Sequence, residues 1–345
     1  MIAIDISAFR AREEQGLLTA RSHPTHDLII WNYTPQCQFE HAWDQVTLQA
    51  RGLITRHDGT IVARPFGKFF NYEEYQGAIP LETFKVTEKA DGSLGILYFI
   101  DGKPLIATRG SFTSEQAERA TKILYERYQS FFPHLMAHYT YLFEIIYPGN
   151  RIVVDYGNRE DLILLTMIET ATSHELDIHA QEWPFPVVKY YDGITDLASL
   201  RTIEEANREG FVIRFESGLR LKMKFAEYVR LHRLLTQINA RIIWEYLRDG
   251  KSFNTLLDRV PDEFYAWVSS TRENLLARFA EIEQQCQQAM AQVKDLPTRK
   301  DQAALVLKEK YSGIIFQMLD HKPYQGAIWK YLRPQAERPF REDEA

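Results

Sequence analysis

The 345-residue sequence contains little cysteine. Its two cysteines, Cys37 and Cys286, lie far apart and outside any C-x-x-C pattern, so neither a disulfide framework nor a zinc ribbon is predicted. The sequence also lacks an apolar run long enough to span a bilayer, and its N-terminus has no basic segment followed by an apolar one. From these absences we predict no membrane span and no signal peptide, and we expect a cytoplasmic protein.

An excess of basic residues is also missing. The chain has 41 Lys and Arg residues against 47 Asp and Glu residues, and its formal net charge is −6. Such a chain has no general electrostatic attraction to nucleic acid. Any contact with a polyanion must therefore come from cations that are concentrated locally.

Glycine and proline become scarce in the second part of the chain. Residues 226–310 contain one glycine and two prolines, whereas the earlier part is rich in turn signals. This change in composition predicts a first domain at 1–240 and a helical second domain at 241–345. The charged tail after Pro334 is predicted to be disordered.

Strand patterns dominate the first domain. Two Asp-Gly pairs, at 58–59 and 101–102, each lie between β-rich runs, which predicts two hairpins. Further strand-like runs follow at 139–147, 152–156, 162–168, 209–215 and 219–225.

Helical patterns appear in both domains. Thr113 is predicted to begin a helix, with Gln116 at the capping-box position, and residues 202–209 (TIEEANRE) have a helix-like composition. In the second domain a stripe of apolar residues recurs at helical spacing and is interpreted as core. These residues are Leu275, Phe279, Ile282, Cys286, Met290 and Val293.

The candidate for chemistry is the stretch Glu88–Ser93, EKADGS, which lies between a hairpin pattern and a strand. Enzymes that attach a nucleotide to a lysine amine use a lysine followed by x-Asp-Gly, so Lys89 is a candidate nucleophile. The motif alone is weak, because an Asp-Gly pair usually marks an ordinary turn. An amine attacks phosphorus only when it is neutral, so cations that favour loss of its proton must lie nearby.

Two strands carry charges that need partners. Glu144 is the one charged residue in YTYLFEIIY, and a buried carboxylate is costly unless a cation, a metal or a donor meets it. A structural salt bridge and a functional role both satisfy that need. Arg220, Lys222 and Lys224 share one face of a later strand and repel one another unless they face water or a polyanion. An edge strand protected by lysine is the alternative.

Four motifs now stand in order along the chain: KADGS at 89–93, FEIIYP at 143–148, EGFVI at 209–213 and KMK at 222–224. The series resembles motifs I, III, IV and V of the covalent nucleotidyltransferases, the superfamily of ATP-dependent DNA and RNA ligases and mRNA capping enzymes. Within that superfamily the chain resembles the phage RNA ligase 1-like family. The more specific cues are ARGLI at 50–54, ARPFGKFFNYEE at 63–74, TRGS at 108–111 and YPGNRIVVDY at 147–156.

The resemblance implies roles for individual residues. Lys89 would become adenylylated, Glu209 and Glu144 would organise the metal and the ribose, and Lys222 and Lys224 would contact the ATP phosphates. Lys89, Glu209, Lys222 and Lys224 are thus the expected catalytic residues. Other expected nucleotide contacts are Arg51, Lys68, Phe70, Glu88, Asp91, Gly92, Arg109 and Tyr228. The expected metal ligands are Glu144, Glu209 and Asp91, the last directly or through water. Arg109 stands where a lysine is usual and keeps the charge.

The fold that the resemblance implies is α+β: an antiparallel-sheet nucleotidyltransferase domain of the ATP-grasp-like ligase type, followed by an all-helical domain related to the RNA substrate. The implied cofactors are ATP, with AMP held covalently on Lys89, and Mg²⁺ or Mn²⁺. The implied reaction joins RNA 5′-phosphate and 3′-OH ends through lysyl-AMP and RNA-adenylate in RNA repair. Broken tRNA is one expected substrate, and a separate end-healing kinase-phosphatase is an expected partner.

Two alternatives remain open. A DNA ligase or a capping guanylyltransferase shares the motifs, but both usually append a β-barrel of the OB type where this chain is helix-like. A nucleotide- or RNA-binding module could keep the fold without catalysis. Such a module would be expected to lose Lys89 or Glu209, and both are present.

Overall fold

The computed structural model describes residues 2–236, 239–257, 260 and 264–334. The chain divides into two compact units, Met1–Leu235 and Thr236–Ala345. All strands of the described residues lie in the first unit. The tail after Pro334, predicted to be disordered, lies outside the described residues. No helix in the described part of the chain is both long enough and apolar enough to span a membrane.

The strands of the first unit form three sheets. Their bounds are β1 Leu18–Ser22, β2 Ile29–Tyr33, β3 Arg51–Thr55, β4 Ile61–Ala63, β5 Phe70–Asn71, β6 Phe84–Lys89, β7 Ser93–Ile100, β8 Lys103–Thr108, β9 Tyr139–Ile146, β10 Asp161–Glu169, β11 Glu175–Leu176, β12 Tyr190–Tyr191, β13 Gly210–Phe215 and β14 Arg220–Lys224. Sheet 1 has the order β1-β2-β3-β4, sheet 2 the order β11-β10-β9-β7-β8, and sheet 3 the order β12-β6-β13-β14-β5. Neighbouring strands are antiparallel, except that β5 runs parallel to β14.

Helices surround these sheets and build the second unit. Their bounds are α1 Ile6–Glu14, α2 Pro35–Phe39, α3 Gln45–Gln49, α4 Glu115–Tyr128, α5 Leu197–Leu200, α6 Ala226–Thr236, α7 Ala240–Arg248, α8 Phe253–Leu257, α9 Tyr265–Val293, α10 Arg299–Val306, α11 Ser312–Leu319 and α12 Gln325–Tyr331. The fold is therefore α+β with C-terminal helices, as predicted. Its likeness to the ATP-grasp type stays a prediction.

Both predicted hairpins are confirmed. Strand β3 pairs with β4, and β7 pairs with β8, each antiparallel. The turns contain Gly59, at φ 87°, and Asp101 and Gly102, at φ 49° and 75°. Positive φ is the backbone conformation that glycine and aspartate tolerate best, which explains why an Asp-Gly pair predicts a tight turn.

The predicted helix after the second hairpin is confirmed, but its start is wrong by one residue. Ser114, not Thr113, caps α4, because the Ser114 side chain accepts a hydrogen bond from the Ala117 N–H. The apolar face is buried as its spacing predicts, at Ala117, Ala120, Ile123, Leu124 and Tyr128. The apolar stripe of α9 is also largely buried, with Leu275, Ile282, Cys286 and Val293 in the core.

Two predicted elements are wrong. Residues 152–156 form a bend instead of a strand, because the N–H groups of Val153 and Val154 both donate to Asp91 Oδ2, each at 2.8 Å. Residues 202–209 form turns instead of a helix. Here Asn207 has φ 56° and exchanges two hydrogen bonds with the backbone of Asp155, so that tertiary contacts override the local helix propensity.

A buried ion pair joins sheets 2 and 3. Glu175 of β11 accepts a hydrogen bond from Arg220 Nη2 of β14 at 2.6 Å, and Arg214 Nε of β13 lies 3.3 Å from the same oxygen. Burial raises the pKa of Glu175, but the two arginines outweigh it and the pKa is lowered overall. Arg220, the first cation of the predicted row, thus faces neither water nor a polyanion, but a carboxylate.

Removing that carboxylate should destabilise the fold. In Glu175→Ala, Arg220 would be left largely shielded from water without its carboxylate and beside a second, partly exposed cation, Arg214. We expect the free energy of unfolding, measured by urea denaturation, to fall by about 3–5 kcal/mol. The control is Glu126→Ala, which removes an exposed pair with Lys122 and should cost about 0.5 kcal/mol or less. Equal losses in the two variants would show that the bridge between the sheets contributes no stability.

Candidate active site

The motif EKADGS lies where the chain crosses from sheet 3 to sheet 2. Lys89 is the last residue of β6 and Ser93 is the first residue of β7. In sheet 3 the register places Gly210 opposite both Lys89 and Lys224. In sheet 2 the register places Glu144 opposite Leu94. Strand pairing therefore gathers the charged residues of motifs that are distant in sequence.

A buried carboxylate lies between two lysines at this junction. Glu209 is 3% exposed; its Oε2 lies 2.7 Å from Lys89 Nζ, and its Oε1 lies 3.1 Å from Lys224 Nζ. Burial disfavours the charged form of Glu209, but the two lysines outweigh it and lower the pKa. The result is a carboxylate that stays ionised and holds both ammonium groups in fixed positions. The predicted catalytic residues Lys89, Glu209 and Lys224 are thus in direct contact.

Gly210 makes this arrangement sterically possible. Its φ is 149°, and a Cβ at this position would lie 2.1 Å from the carbonyl oxygen of Met223 and 2.7 Å from the Cα of Lys224. Atoms cannot approach that closely, so only glycine allows β13 and β14 to pair here. The close pairing of these strands brings Glu209 within reach of Lys224.

Asp91 is a structural centre of the site. Its side chain is buried; Oδ2 accepts from the N–H groups of Val153 and Val154, and Oδ1 accepts from the Tyr228 hydroxyl at 2.8 Å. The Asp91 N–H donates to the Tyr156 hydroxyl at 2.9 Å. Asp91 thereby holds both helix α6 and the loop that contains Val153 and Val154 beside Lys89. The metal role predicted for Asp91 stays a prediction, and the carboxylate already accepts three hydrogen bonds.

Glu144 lies close to the other acids of the site. Its Oε1 accepts the Gly92 N–H at 2.9 Å. Burial is the main cause that raises the pKa of Glu144 to about 8; Lys89 opposes the shift, and Glu209 and Asp91 increase it. Among the described residues no ion pair of 4.0 Å or less involves Glu144. A carboxylate in such surroundings would be stabilised in its charged form by an added cation.

Gly92, like Gly210, leaves no room for a side chain. A Cβ on Gly92 would lie 2.5 Å from the carbonyl oxygen of Ile145 and 3.2 Å from the Glu144 side chain. The missing side chain lets the Gly92 backbone approach strand β9 and donate to Glu144. The sequence predicted Gly92 as a nucleotide contact, and the structure places it beside Glu144.

A second group of cations lies among aromatic rings. Lys68 Nζ is 5.4 Å from the Tyr33 ring centroid, 5.2 Å from that of Trp43 and 5.4 Å from that of Phe70. Arg109 Nη1 donates to the Tyr33 hydroxyl at 3.3 Å. The sequence predicted Lys68, Phe70 and Arg109 but missed Tyr33 and Trp43. Neither belongs to a charged or glycine-containing motif, and only the fold brings them to the cations.

Arg51 belongs to the same group. Its guanidinium lies 5.1 Å from the Phe69 ring centroid, and its Nη1 is buried without a hydrogen-bond partner among the described residues. Burial is the main cause that lowers the pKa of Arg51; Arg109 adds to the shift, whereas Tyr33 and Glu144 oppose it. The neighbouring guanidinium groups of Arg51 and Arg109, with the unpaired Nη1 of Arg51, are suited to bind an anionic ligand.

Glu88 lies apart from these groups. It precedes Lys89 in β6, so its side chain leaves the opposite face of the strand, where it pairs with Arg208. Lys222 shares a face of β14 with Lys224 and is buried. The structure therefore gathers most of the predicted residues and separates the Glu88 side chain from them.

The acids do not form a complete metal cage by themselves. In the described part of the chain, no group of three or more His, Cys, Asp and Glu side chains is placed to hold a metal ion. Mg²⁺ usually takes only one or two carboxylates and completes its shell with water and substrate phosphates. The metal role predicted for Glu144 and Glu209 stays a prediction.

A substitution at Gly210 should separate the effect of crowding from that of backbone strain. Gly210→Ala forces β13 away from β14, and we expect the free energy of unfolding to fall by about 2–4 kcal/mol in a urea titration. The matched control is Gly218→Ala: φ there is 88°, but nothing lies within 4 Å of an added Cβ, so the loss should be about 1–2 kcal/mol. If Gly210→Ala cost no more than the control, the close contact would not limit strand pairing.

The chain is similar to known proteins that are named as RNA ligases. A family model described as "RNA ligase" matches residues 49–229, just over half of the chain. A Thermovibrio ammonificans protein, named "Putative RNA ligase", is 29% identical over 240 residues, which cover 64% of this chain and 61% of that protein. The "RNA ligase" of Rhodothermus phage RM378 is 24% identical over 315 residues, which cover 69% of this chain and 70% of that protein.

A solved structure, "Naegleria gruberi RNA ligase with PPi", is 17% identical, covers 44% of this chain and 52% of that chain, and has a TM-score of 0.36. A TM-score of this size does not by itself establish a shared fold. The family match, by contrast, contains Arg51, Lys89, Glu144, Glu209, Lys222 and Lys224. The chain belongs to the phage RNA ligase 1-like family of RNA ligases.

Proposed function

We propose that this protein is an ATP-dependent RNA ligase that joins RNA 5′-phosphate and 3′-OH ends through a lysyl-AMP intermediate. The observation that carries the proposal is the contact of one buried carboxylate, Glu209, with the Nζ atoms of both Lys89 and Lys224. Membership of the RNA ligase family supports the same reading.

The first step is transfer of AMP to Lys89. The lysine loses a proton to water, its Nζ attacks the α-phosphorus of ATP, and the bond from that phosphorus to the bridging oxygen breaks, so that pyrophosphate leaves. Lys224 is held beside Lys89 by the same carboxylate, where it would contact the phosphates of ATP. Lys222, Arg51, Lys68 and Arg109 would stabilise the negative charge of the phosphates.

The next two steps use the activated phosphate. An oxygen of the RNA 5′-phosphate attacks the phosphorus of lysyl-AMP, and the bond from phosphorus to nitrogen breaks, which regenerates Lys89 and gives RNA-adenylate. The 3′-OH then attacks the RNA 5′-phosphorus, loses its proton, and AMP leaves. Both steps need the same cations, because charge again develops on phosphate oxygens.

A divalent cation fits this site. Glu144 and Glu209 would hold Mg²⁺ or Mn²⁺, with Asp91 contributing through water, and the cation would neutralise charge on the phosphates. Glu144 supports this assignment because its raised pKa reflects burial and nearby carboxylates, both of which an added cation would offset.

We also propose a biological role for this protein. A relative from Autographa californica nuclear polyhedrosis virus, named "Putative bifunctional polynucleotide kinase/RNA ligase", is 26% identical over 249 residues, which cover 62% of this chain and 34% of that protein. We propose a role in RNA repair, with broken tRNA as a substrate and a separate kinase-phosphatase that prepares the ends. The polynucleotide kinase in the relative's name supports only the link between ligation and the processing of ends. We assign the adenylyltransferase role to 1–240, an RNA-related role to 241–345 and a cytoplasmic location.

Labelling with nucleotide tests the activity. Incubation with α-³²P-ATP and Mg²⁺ should leave label on the denatured protein, and 5′-phosphate RNA should be sealed in preference to the same DNA strand. The parallel reaction with α-³²P-GTP serves as the control and should give no label. Label from GTP alone would instead indicate a capping guanylyltransferase, and no label from either nucleotide in folded protein would indicate a binding module.

A variant of Lys89 tests the nucleophile. Lys89→Ala should reduce labelling to background, because the attacking amine is gone, yet it should retain sealing of pre-adenylylated RNA, which bypasses that step. Lys85→Ala is the matched control: Lys85 lies on the same face of β6 and pairs with Asp177 at 2.6 Å, away from Glu209. It should label like the wild type. Persistent labelling of Lys89→Ala would show that another residue is the nucleophile.

A further inference from the structure

Asn71 is a buried polar side chain that uses none of its hydrogen-bonding capacity. It ends the two-residue strand β5, and its relative exposure is 4%. Neither its Nδ2 nor its Oδ1 has a hydrogen-bond partner among the described residues. Buried amides in native proteins are nearly always paired, so an orphan of this kind indicates a partner that binds from outside the chain.

Strand pairing places Asn71 on the face of sheet 3 that carries Lys222 and Lys224. Asn71 is directly opposite Lys222 in the parallel pair of β5 and β14. Residues that pair directly project from the same face of a sheet, and residues two apart in a strand share a face. Asn71 therefore projects on the same side as Lys222 and Lys224, and Lys224 contacts Glu209.

The chemistry of an amide restricts the ligand. Nδ2 donates and needs an acceptor, whereas Oδ1 accepts and needs a donor or a cation. A bare phosphate offers acceptors only and would leave Oδ1 unsatisfied. A phosphate with a bound divalent cation offers both phosphate oxygens and the protons of metal-bound water. The neighbouring Lys222 adds positive charge, which favours the same anion.

We propose that Asn71 binds the cation-bound pyrophosphate portion of ATP and so positions the leaving group of lysine adenylylation. Nδ2 donates to a phosphate oxygen, and Oδ1 accepts from a water molecule on the cation. This inference rests on the proposed function. It assigns Asn71 to the first step, because pyrophosphate has left before RNA-adenylate forms and before the RNA ends are joined.

The test replaces the amide with an apolar group of similar size. In Asn71→Leu, the thermal midpoint should stay the same or rise, because an unpaired buried amide is removed. The affinity for Mg²⁺-pyrophosphate, measured by calorimetry on the full chain without ATP, should fall about 10- to 100-fold. Sealing of pre-adenylylated RNA should remain at the wild-type rate.

A matched control distinguishes binding from a structural role. Thr140 is also buried, but its hydroxyl accepts the Arg64 N–H at 2.8 Å, so Thr140→Val should lower the thermal midpoint and leave pyrophosphate affinity unchanged. If Asn71→Leu behaved like Thr140→Val, Asn71 would be structural. If Asn71→Leu slowed sealing of pre-adenylylated RNA and bound pyrophosphate normally, the ligand would be the RNA phosphate. Either result overturns the proposal.

Two further comparisons complete the design. If Asn71→Leu does not fold, Asn71→Asp is tested in its place. It keeps the shape of the side chain but removes the donor and adds negative charge, so its affinity for pyrophosphate should also fall. Wild-type protein that takes no label from ATP would refute the proposed ligase function. If the wild type labelled normally and Asn71→Leu bound pyrophosphate as tightly as the wild type, the role of Asn71 would be refuted. The proposed ligase function would not be affected.

Discussion

The site depends on the ionised carboxylate of Glu209 in a position that is closed to water. An isolated buried carboxylate would take up a proton, and two neighbouring ammonium groups that are partly shielded from water would repel each other. Placed together, each charge offsets the desolvation of the others, and the distances of 2.7 and 3.1 Å fix Lys89 and Lys224 relative to Glu209. Under the proposed function, a nucleophile and a phosphate-binding cation would thus be positioned before the nucleotide binds, which is how electrostatic preorganisation contributes to catalysis.

Close backbone contacts support this carboxylate. Gly210 allows β13 to approach β14, and Gly92 allows the turn after Lys89 to approach β9. Asp91 then ties a loop and helix α6 to the same turn through three hydrogen bonds to its carboxylate. The motif residues around Lys89 therefore act mainly by fixing the position of the lysine between two sheets. This role explains why a glycine and a buried aspartate accompany the nucleophile so closely in sequence.

Two buried polar side chains of the site, Arg51 and Asn71, have atoms without a hydrogen-bond partner among the described residues. Groups of this kind lower the stability of the ligand-free protein, because their desolvation is not repaid within the chain. Under the proposed function these groups would bind the phosphates of ATP. The chain as a whole carries a net charge of −6, so attraction for a polyanion would have to come from cations that lie close together, such as Arg51 and Arg109.

The sequence by itself determined the hairpins, the buried faces of α4 and α9, and the order of charged motifs, because turn chemistry and side-chain periodicity are local properties of the chain. It also identified Lys89, Glu209 and Lys224, whose contact the structure shows. It could not place Tyr33 and Trp43, which carry no local signal, beside the cations, and it assigned no role to Asn71, although Asn71 lies in the motif at 63–74. It misassigned 152–156, where the backbone N–H groups of Val153 and Val154 donate to the distant Asp91 carboxylate. It also misassigned 202–209, where the Asn207 side chain binds the distant backbone of Asp155. Tertiary structure decided those segments because hydrogen bonds over long sequence separations outweighed local propensity.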